Sequence, residues 1–315
     1  MQPIRSALYV PGNREEWIRS AHQHGSDAII LDLEDAVPPA EKQQARDTLE
    51  DTIPTLQDKG QRIFVRINGT PESSLEVTAD LESVLPLEVE ALLVPEVSSP
   101  DEIARLETIM KHIERRENLS PTELAVLIET AEGMKQTYEI CKESNRIGAI
   151  ACGAVKGADT ARSLGFEWTG PGREGLETLH LREKVLMDAK AAGVQYPLSG
   201  PYVDIDDIDG LQQDMNFARE IGYTGYTIIH PSHVEPANDI FLPEEETVEY
   251  WIGAYQALSA AISEGKSAVR YNGDMIDTAT MKTAKQQLQR AAMFEHELDL
   301  DREIPDMETV EQQIS

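Results

Sequence analysis

The chain has 315 residues, 40% of them hydrophobic, enough for one large domain or two small ones with an ample core. Its 57 acidic and 28 basic residues give a net charge of −29, a surface that repels nucleic-acid phosphates and anionic lipid alike. No apolar run approaches the roughly 18–20 residues that would span a membrane, and the start MQPIRSALYV lacks a basic-then-apolar signal pattern. The acids are spread along the chain, where salt would screen their mutual repulsion, so a salt-rich cytoplasm is the expected setting. Cys141 and Cys152 match no zinc or redox spacing and sit in apolar contexts; two buried free thiols in a reducing compartment are expected.

In chain order, short apolar runs predict eight strands, at 6–10, 28–33, 62–67, 91–95, 124–128, 148–153, 198–203 and 226–230. Helical periodicity follows most of them, at 14–24, 39–49, 100–115, 131–142, 173–192 and 206–221. Strand and helix in eightfold alternation is the pattern of an α/β fold of the (β/α)8 TIM-barrel kind. An open doubly wound sheet would show fewer strands and a glycine-rich phosphate turn, which YVPGN is not. Past position 230 the pattern changes: 244–264 reads as an amphipathic helix, SEGKSAVRYNGDM as polar and turn-rich, and 277–298 as helix again. The expected organisation is a catalytic barrel at 1–243 and a helical extension at 244–315, carrying a lid or an oligomer contact.

Several strands end on polar residues, namely Glu34 and Asp35, Asn68, Glu129, Asp204 and His230, and barrel enzymes keep reactive groups at strand C-terminal ends. Glu129 ends one apolar run and Asp159 follows another. Two carboxylates delivered to one rim could hold a hard cation such as Mg2+ and leave positions open for substrate oxygens. In so acidic a chain, surface decoration is the competing reading. Arg66 ends the apolar run IFVRING, where a guanidinium must be paired or face a site. Alternation puts Asp32 and Glu34 on one side of their strand, placed to orient Arg66 or hold a bound water, while Asp35 could cap the next element. In HPSH the proline breaks the spacing of a helical metal pair. His230 suits a hydrogen bond to ligand, and His233 is expected at the surface or a helix start. GPG at 170–172 reads as a plain loop, and Asp277 by spacing as an ordinary acid at a helix N-terminus.

Taken together, LYVPGNR, DAIILDLEDAV, VRING, LIETAEG, GADTARSLG, SGPYVDIDDIDGL and IIHPSHVEPANDIF resemble the HpcH/HpaI aldolase and citrate lyase β-subunit superfamily. Within it the likeness is to CoA-ester lyases of the malyl-CoA and β-methylmalyl-CoA type, whose lid motif YNGDMIDTATMK matches. The resemblance implies Mg2+ (or Mn2+) on Glu129 and Asp159, chelating a 2-oxo acid such as glyoxylate. It implies Arg66 on the thioester or enolate oxygen and Asp277 as the general acid or base of a lid; Glu34, from its place beside Asp32, is counted with them as a catalytic candidate. Tyr9, Val10, Arg14, Ala158, Ile229 and His230 would line the pocket for substrate and CoA. A homo-oligomer, trimer or hexamer, is implied as well, with no nucleic-acid or membrane partner.

Citramalyl-CoA lyase, a malate synthase-like thioesterase and a citrate lyase β-type subunit of a larger complex are the alternatives. The chain departs from the family pattern at Glu96 and Tyr226, where lysine is common, at Ser20, where a basic residue is common, and at Ala158, where an acid often precedes the metal aspartate.

Overall fold

Eight parallel strands close into a barrel in chain order: β1 (Ser6–Pro11), β2 (Ala28–Asp32), β3 (Arg62–Arg66), β4 (Ala91–Val94), β5 (Glu123–Leu127), β6 (Ile147–Ala151), β7 (Tyr196–Ser199) and β8 (Gly225–Ile228). The structure, a computed structural model, describes residues 1–154 and 156–306. The chain divides into two compact units, one of Met1 and Pro3–Phe241, the other running from Leu242 onward. Among the described residues ten α-helices accompany the strands in the first unit: α1 (Glu15–Ser20), α2 (Lys42–Gln57), α3 (Val77–Val84), α4 (Pro100–Glu117), α5 (Ala131–Lys135), α6 (Thr137–Glu143), α7 (Asp159–Leu164), α8 (Leu179–Ala192), α9 (Ile208–Ile221) and α10 (Val234–Phe241).

All eight expected strands are present. A strand buried on both faces reads as a continuous apolar run, which is why the sequence shows them so plainly. The seventh starts two residues before the expected position. It stops at Ser199 because Gly200 turns at φ +88 and Pro201 has no N–H to extend the ladder. Side chains alternate across each strand. Ala7, Ala28, Ile30, Phe64, Ala91, Leu93, Ala125, Leu127, Ala149, Ala151 and Leu198 point inward and fill the barrel. Their outward neighbours, such as Leu8, Ile29, Leu31, Val65 and Val126, pack under the helices in the larger core. Counting two residues on from the inward set places Tyr9, Asp32, Arg66, Glu129 and Gly153 at the C-terminal rim. The fold therefore chooses the site residues before any chemistry does.

The helices follow expectation in the main, with identifiable differences. The segment at 131–142 is broken at Gln136, whose φ of −108 and ψ of 17 leave the helical region. α4 carries the complete capping box that its Ser-Pro-Asp-Glu start allows, Ser99 with Glu102, a device that contributes about 1 kcal/mol. None of α3, α7 and α10 was expected. His233 ends the 3-10 turn that leads into α10, but it is buried, with Nε2 3.2 Å from the Ile205 carbonyl; of the surface and helix-start alternatives only the second holds.

A buried polar network lies behind β6, β7 and β8. Asp214 accepts from Arg182 at 2.9 and 3.2 Å, from the Tyr226 hydroxyl at 2.6 Å and from the Gly172 N–H at 3.1 Å. Arg182 also donates to the Ala154 carbonyl at 2.8 Å, fixing the chain just past β6. Tyr226 is thus a core residue in this chain, and the GPG segment is a packed support: a Cβ on Gly172 would lie 2.8 Å from the Gln213 carbonyl. Cys141 and Cys152 are free and buried, and burial pushes both thiols up to about 12.

In the second unit, α11 (Glu245–Ser263) and α12 (Thr278–Met293) pack on a hairpin of β9 (Ala268–Tyr271) and β10 (Asp274–Asp277). The hairpin replaces the irregular segment expected there. Asn272 and Gly273 both take positive φ, 48 and 98, at its two-residue turn. Among the described residues no helix is long and apolar enough to cross a membrane.

Candidate active site

A cavity of about 790 Å³ opens at the C-terminal rim of the barrel. Of the residues singled out in the sequence, Tyr9, Val10, Arg66, Glu129, Ala158, Asp159, Ile229 and His230 line it together, along with Asp32 and Asp35. Arg14 does not line it; this residue is exposed at the head of α1, its guanidinium 5.9 Å from the centre of the Trp17 ring. Glu34 sits beside Arg66 without lining the cavity. Asp277 belongs to the second unit, where it is the N-cap of α12. Its Oδ1 accepts from the Thr280 N–H and hydroxyl, both at 2.8 Å, and those bonds hold its carboxyl below the usual range.

Arg66 is the best-held group in the cavity. β2 and β3 pair with Asp32 opposite Arg66, so the carboxylate and the guanidinium meet side by side. Nε donates to Asp32 Oδ1 at 2.7 Å and Nη2 to Oδ2 at 2.6 Å, a bidentate fork. Glu34 Oε2 lies 2.8 Å from Nη1, close enough for an ion pair but out of line for a hydrogen bond. The Tyr9 ring covers the guanidinium at 5.0 Å. Burial works against the charge of Arg66, but the Asp32 bonds and the surrounding negative charge outweigh it and raise its pKa well above the usual value. Asp32 also accepts from the Glu34 and Ala36 N–H groups, and Lys42 Nζ donates to the Leu33 and Glu34 carbonyls at 2.6 and 2.8 Å. Lys42 thereby ties down the loop that carries Glu34, a role the sequence reading missed. Its one signal was a lone lysine in an acidic stretch.

The two carboxylates have different surroundings. Glu129 Oε1 accepts the Glu96 N–H at 2.9 Å, made possible by a left-handed Glu96 at φ 52. Burial pushes the Glu129 carboxyl up to about 7, with Asp159 and Glu34 adding to the rise. Asp159 begins α7 and is held at 2.7 Å by Arg162, an exposed side chain that can swing aside. Arg162 could have been read from its spacing of three residues. The Glu96 side chain itself is partly exposed, 3.8 Å from Arg162.

This donor set fits a hard divalent cation. Both donors are carboxylates on one cavity, and burial together with the like charge of Asp159 raises the Glu129 carboxyl, a cost that a bound cation would relieve. Among the described residues no group of three or more His, Cys, Asp or Glu forms a closed metal cage. Two protein ligands with open positions suit Mg2+ better than Zn2+ or Ca2+.

Glu34 supplies a pH prediction. Burial raises its carboxyl to about 7 against an ordinary 4.5. The protonated form therefore suits the folded site better. Its contribution to stability is complete below the ordinary value and is lost as pH rises through about 7. Glu34→Gln keeps the neutral shape at every pH. Between about pH 5 and 8 the unfolding midpoint in urea should fall more for the wild type than for Glu34→Gln. Parallel pH profiles would mean that Glu34 ionises like a surface acid.

The profile of the HpcH/HpaI aldolase/citrate lyase family matches residues 5–231. An L-malyl-CoA/beta-methylmalyl-CoA lyase of Cereibacter sphaeroides is 31% identical over 309 residues, covering 93% of this chain and 96% of its own. A mitochondrial citramalyl-CoA lyase of Rattus norvegicus is 31% identical over 298 residues, 90% of this chain and 84% of its own. The crystal structure of CitE from Mycobacterium tuberculosis in complex with magnesium, acetoacetate and coenzyme A superposes with a TM-score of 0.69 at 27% identity, covering 92% of this chain and 98% of that one.

Proposed function

The chain belongs to the HpcH/HpaI aldolase/citrate lyase family and is a carbon–carbon lyase; from that premise we propose that it is a Mg2+-dependent CoA-ester lyase, cleaving malyl-CoA or β-methylmalyl-CoA reversibly to glyoxylate and acetyl- or propionyl-CoA. The observation that carries this reading is a cavity in which the half-buried, bidentately held Arg66 shares the rim with Glu129 and Asp159.

In such a cleavage the substrate hydroxyl loses its proton, the carbon–carbon bond breaks, and its electron pair passes to the thioester as an enolate. A proton then goes to the enolate carbon. Arg66 is assigned the enolate oxygen. Its fork to Asp32 fixes the guanidinium before charge develops, so little reorganisation is needed at the moment of reaction. Tyr9 covers one face of it, and the inward-facing Leu127 lines the cavity with it. Glu129 and Asp159 would hold the divalent cation, which when bound supplies Lewis-acid polarisation of the oxo acid's oxygens. Asp277, held as a carboxylate, is assigned a proton-transfer role in its ionised form.

Citramalyl-CoA cleavage, which yields pyruvate, is the second reading, since relatives of both kinds stand at equal identity. A substrate panel tests the proposal. Malyl-, β-methylmalyl- and citramalyl-CoA are each incubated with the purified protein, and free glyoxylate or pyruvate is trapped as a hydrazone. Turnover that EDTA abolishes and Mg2+ restores is the expected result. No turnover with any of the three would overturn it in favour of a subunit that acts only inside a larger complex.

A further inference from the structure

We infer that Gly153 sets the size of the 2-oxo acid the site accepts, by leaving room for a substituent on its carbonyl carbon. The inference rests on the lyase reading above and concerns which oxo acid that reaction takes.

A fold ordinarily keeps glycine for one of two reasons: a left-handed backbone, or a neighbour too close for a Cβ. Gly200 shows both, with φ +88 and a Cβ position 2.6 Å from the Thr227 carbonyl. At Gly225 a Cβ would stand 2.0 Å from the Ile4 carbonyl. Gly153 shows neither. Its φ lies outside the left-handed range, and among the described residues a Cβ would meet nothing nearer than the Gly200 carbonyl at 3.5 Å and the Ala158 Cβ at 3.9 Å, both ordinary contacts. It is the one glycine among the described residues with neither constraint.

Backbone and packing would therefore tolerate alanine. A side chain on Gly153 would face Ala158 and Gly200, which line the same cavity as Gly153 itself, Glu129 and Asp159. Its carbonyl accepts the Thr160 hydroxyl and the next carbonyl accepts Arg182, so the backbone around the gap is fixed. A methyl on Gly153 would lie 3.5 Å from the Gly200 carbonyl and 3.9 Å from the Ala158 Cβ, so the gap these three residues leave admits one. It opens next to one of the two carboxylates assigned to the metal, where the reacting end of an oxo acid would lie. An aldehydic oxo acid leaves the gap empty; a methyl ketone fills it. Pockets discriminate one methyl by roughly 10–200-fold.

Gly153→Ala places that methyl on the protein. In the condensation direction with acetyl-CoA, the ratio of kcat/KM for pyruvate to that for glyoxylate should fall at least about 10-fold in this variant. Ala158→Gly widens the same gap and should move the ratio the other way. Calorimetric binding of each oxo acid in the presence of Mg2+, without the thioester, should show the same selective loss for pyruvate in Gly153→Ala. A ratio unchanged in turnover and in binding, or equal losses for both acids in a variant that keeps its wild-type melting temperature, would overturn the assignment. If the wild type turns over neither acid, the lyase reading fails. The binding measurement still decides the role of Gly153, because it needs no reaction; binding of neither acid overturns it too.

Discussion

Replacing Arg66 with alanine should lower kcat by about 10²–10³ while KM rises less than about tenfold. The guanidinium is assigned to charge that appears only as the carbon–carbon bond breaks, so its loss should be felt in turnover more than in binding. A rise in KM with kcat unchanged would reassign it to ground-state binding. The alanine variant also strands Asp32, which is 1% exposed and accepts both arms of the fork. An unpaired buried carboxylate can cost about 3–5 kcal/mol of stability, so the melting temperature should be recorded beside the kinetics. Arg66→Lys separates the two effects. It keeps a charge for Asp32 but cannot reproduce the bidentate, ring-covered geometry, and it should stay folded yet remain well below wild-type turnover. Full activity in the lysine variant would show that a point charge suffices.

Removing either rim carboxylate should have an effect of similar size on metal binding. Glu129→Gln and Asp159→Ala are each expected to weaken Mg2+ binding by about 100-fold or more, read by calorimetry on the protein alone, with activity lost in parallel. Glu129→Gln is the cleaner probe. It keeps the side-chain oxygen that accepts the Glu96 N–H and removes only the charge. Metal-free Glu129→Gln should be at least as stable as wild type at neutral pH, since burial already makes that charge unfavourable. Asp159→Ala releases Arg162, which is 74% exposed and free to find water, so the fold should survive. Undiminished Mg2+ affinity in both variants would place the metal elsewhere, or nowhere.

The barrel was legible because its strands are buried on both faces, which turns each into a short apolar run that periodicity detects. Arg66, Glu129 and Asp159 stood out for the same reason: each is a charge at or just past the end of such a run. The residues that escaped notice have roles that depend on three-dimensional neighbours. Lys42 looks like any solvated lysine until the carbonyls of Leu33 and Glu34 are seen beneath it. Gly153 gives no local sign that its missing side chain faces a cavity. α3 and α10 are eight residues each, too short for a secure period, and α10 carries a proline in its first turn. The hairpin was hidden by its polarity, since β9 and β10 have four residues apiece and little buried surface, although Asn-Gly at its tip was a usable signal. Asp277 was readable as a helix-starting acid, and its bond to the Thr280 N–H follows from that position.

The closure of β1 onto β8 has a consequence for how copies of this protein can associate wrongly. Every strand of the barrel is paired on both sides, so the barrel presents no open ladder onto which a foreign strand could add. Among the described residues, only β9 and β10 expose unpaired ladder groups, and they do so over four residues each. Nucleation of fibrils from the folded state is therefore confined to one small ribbon, whose exposed Arg270 and Asp274 act as charged gatekeepers.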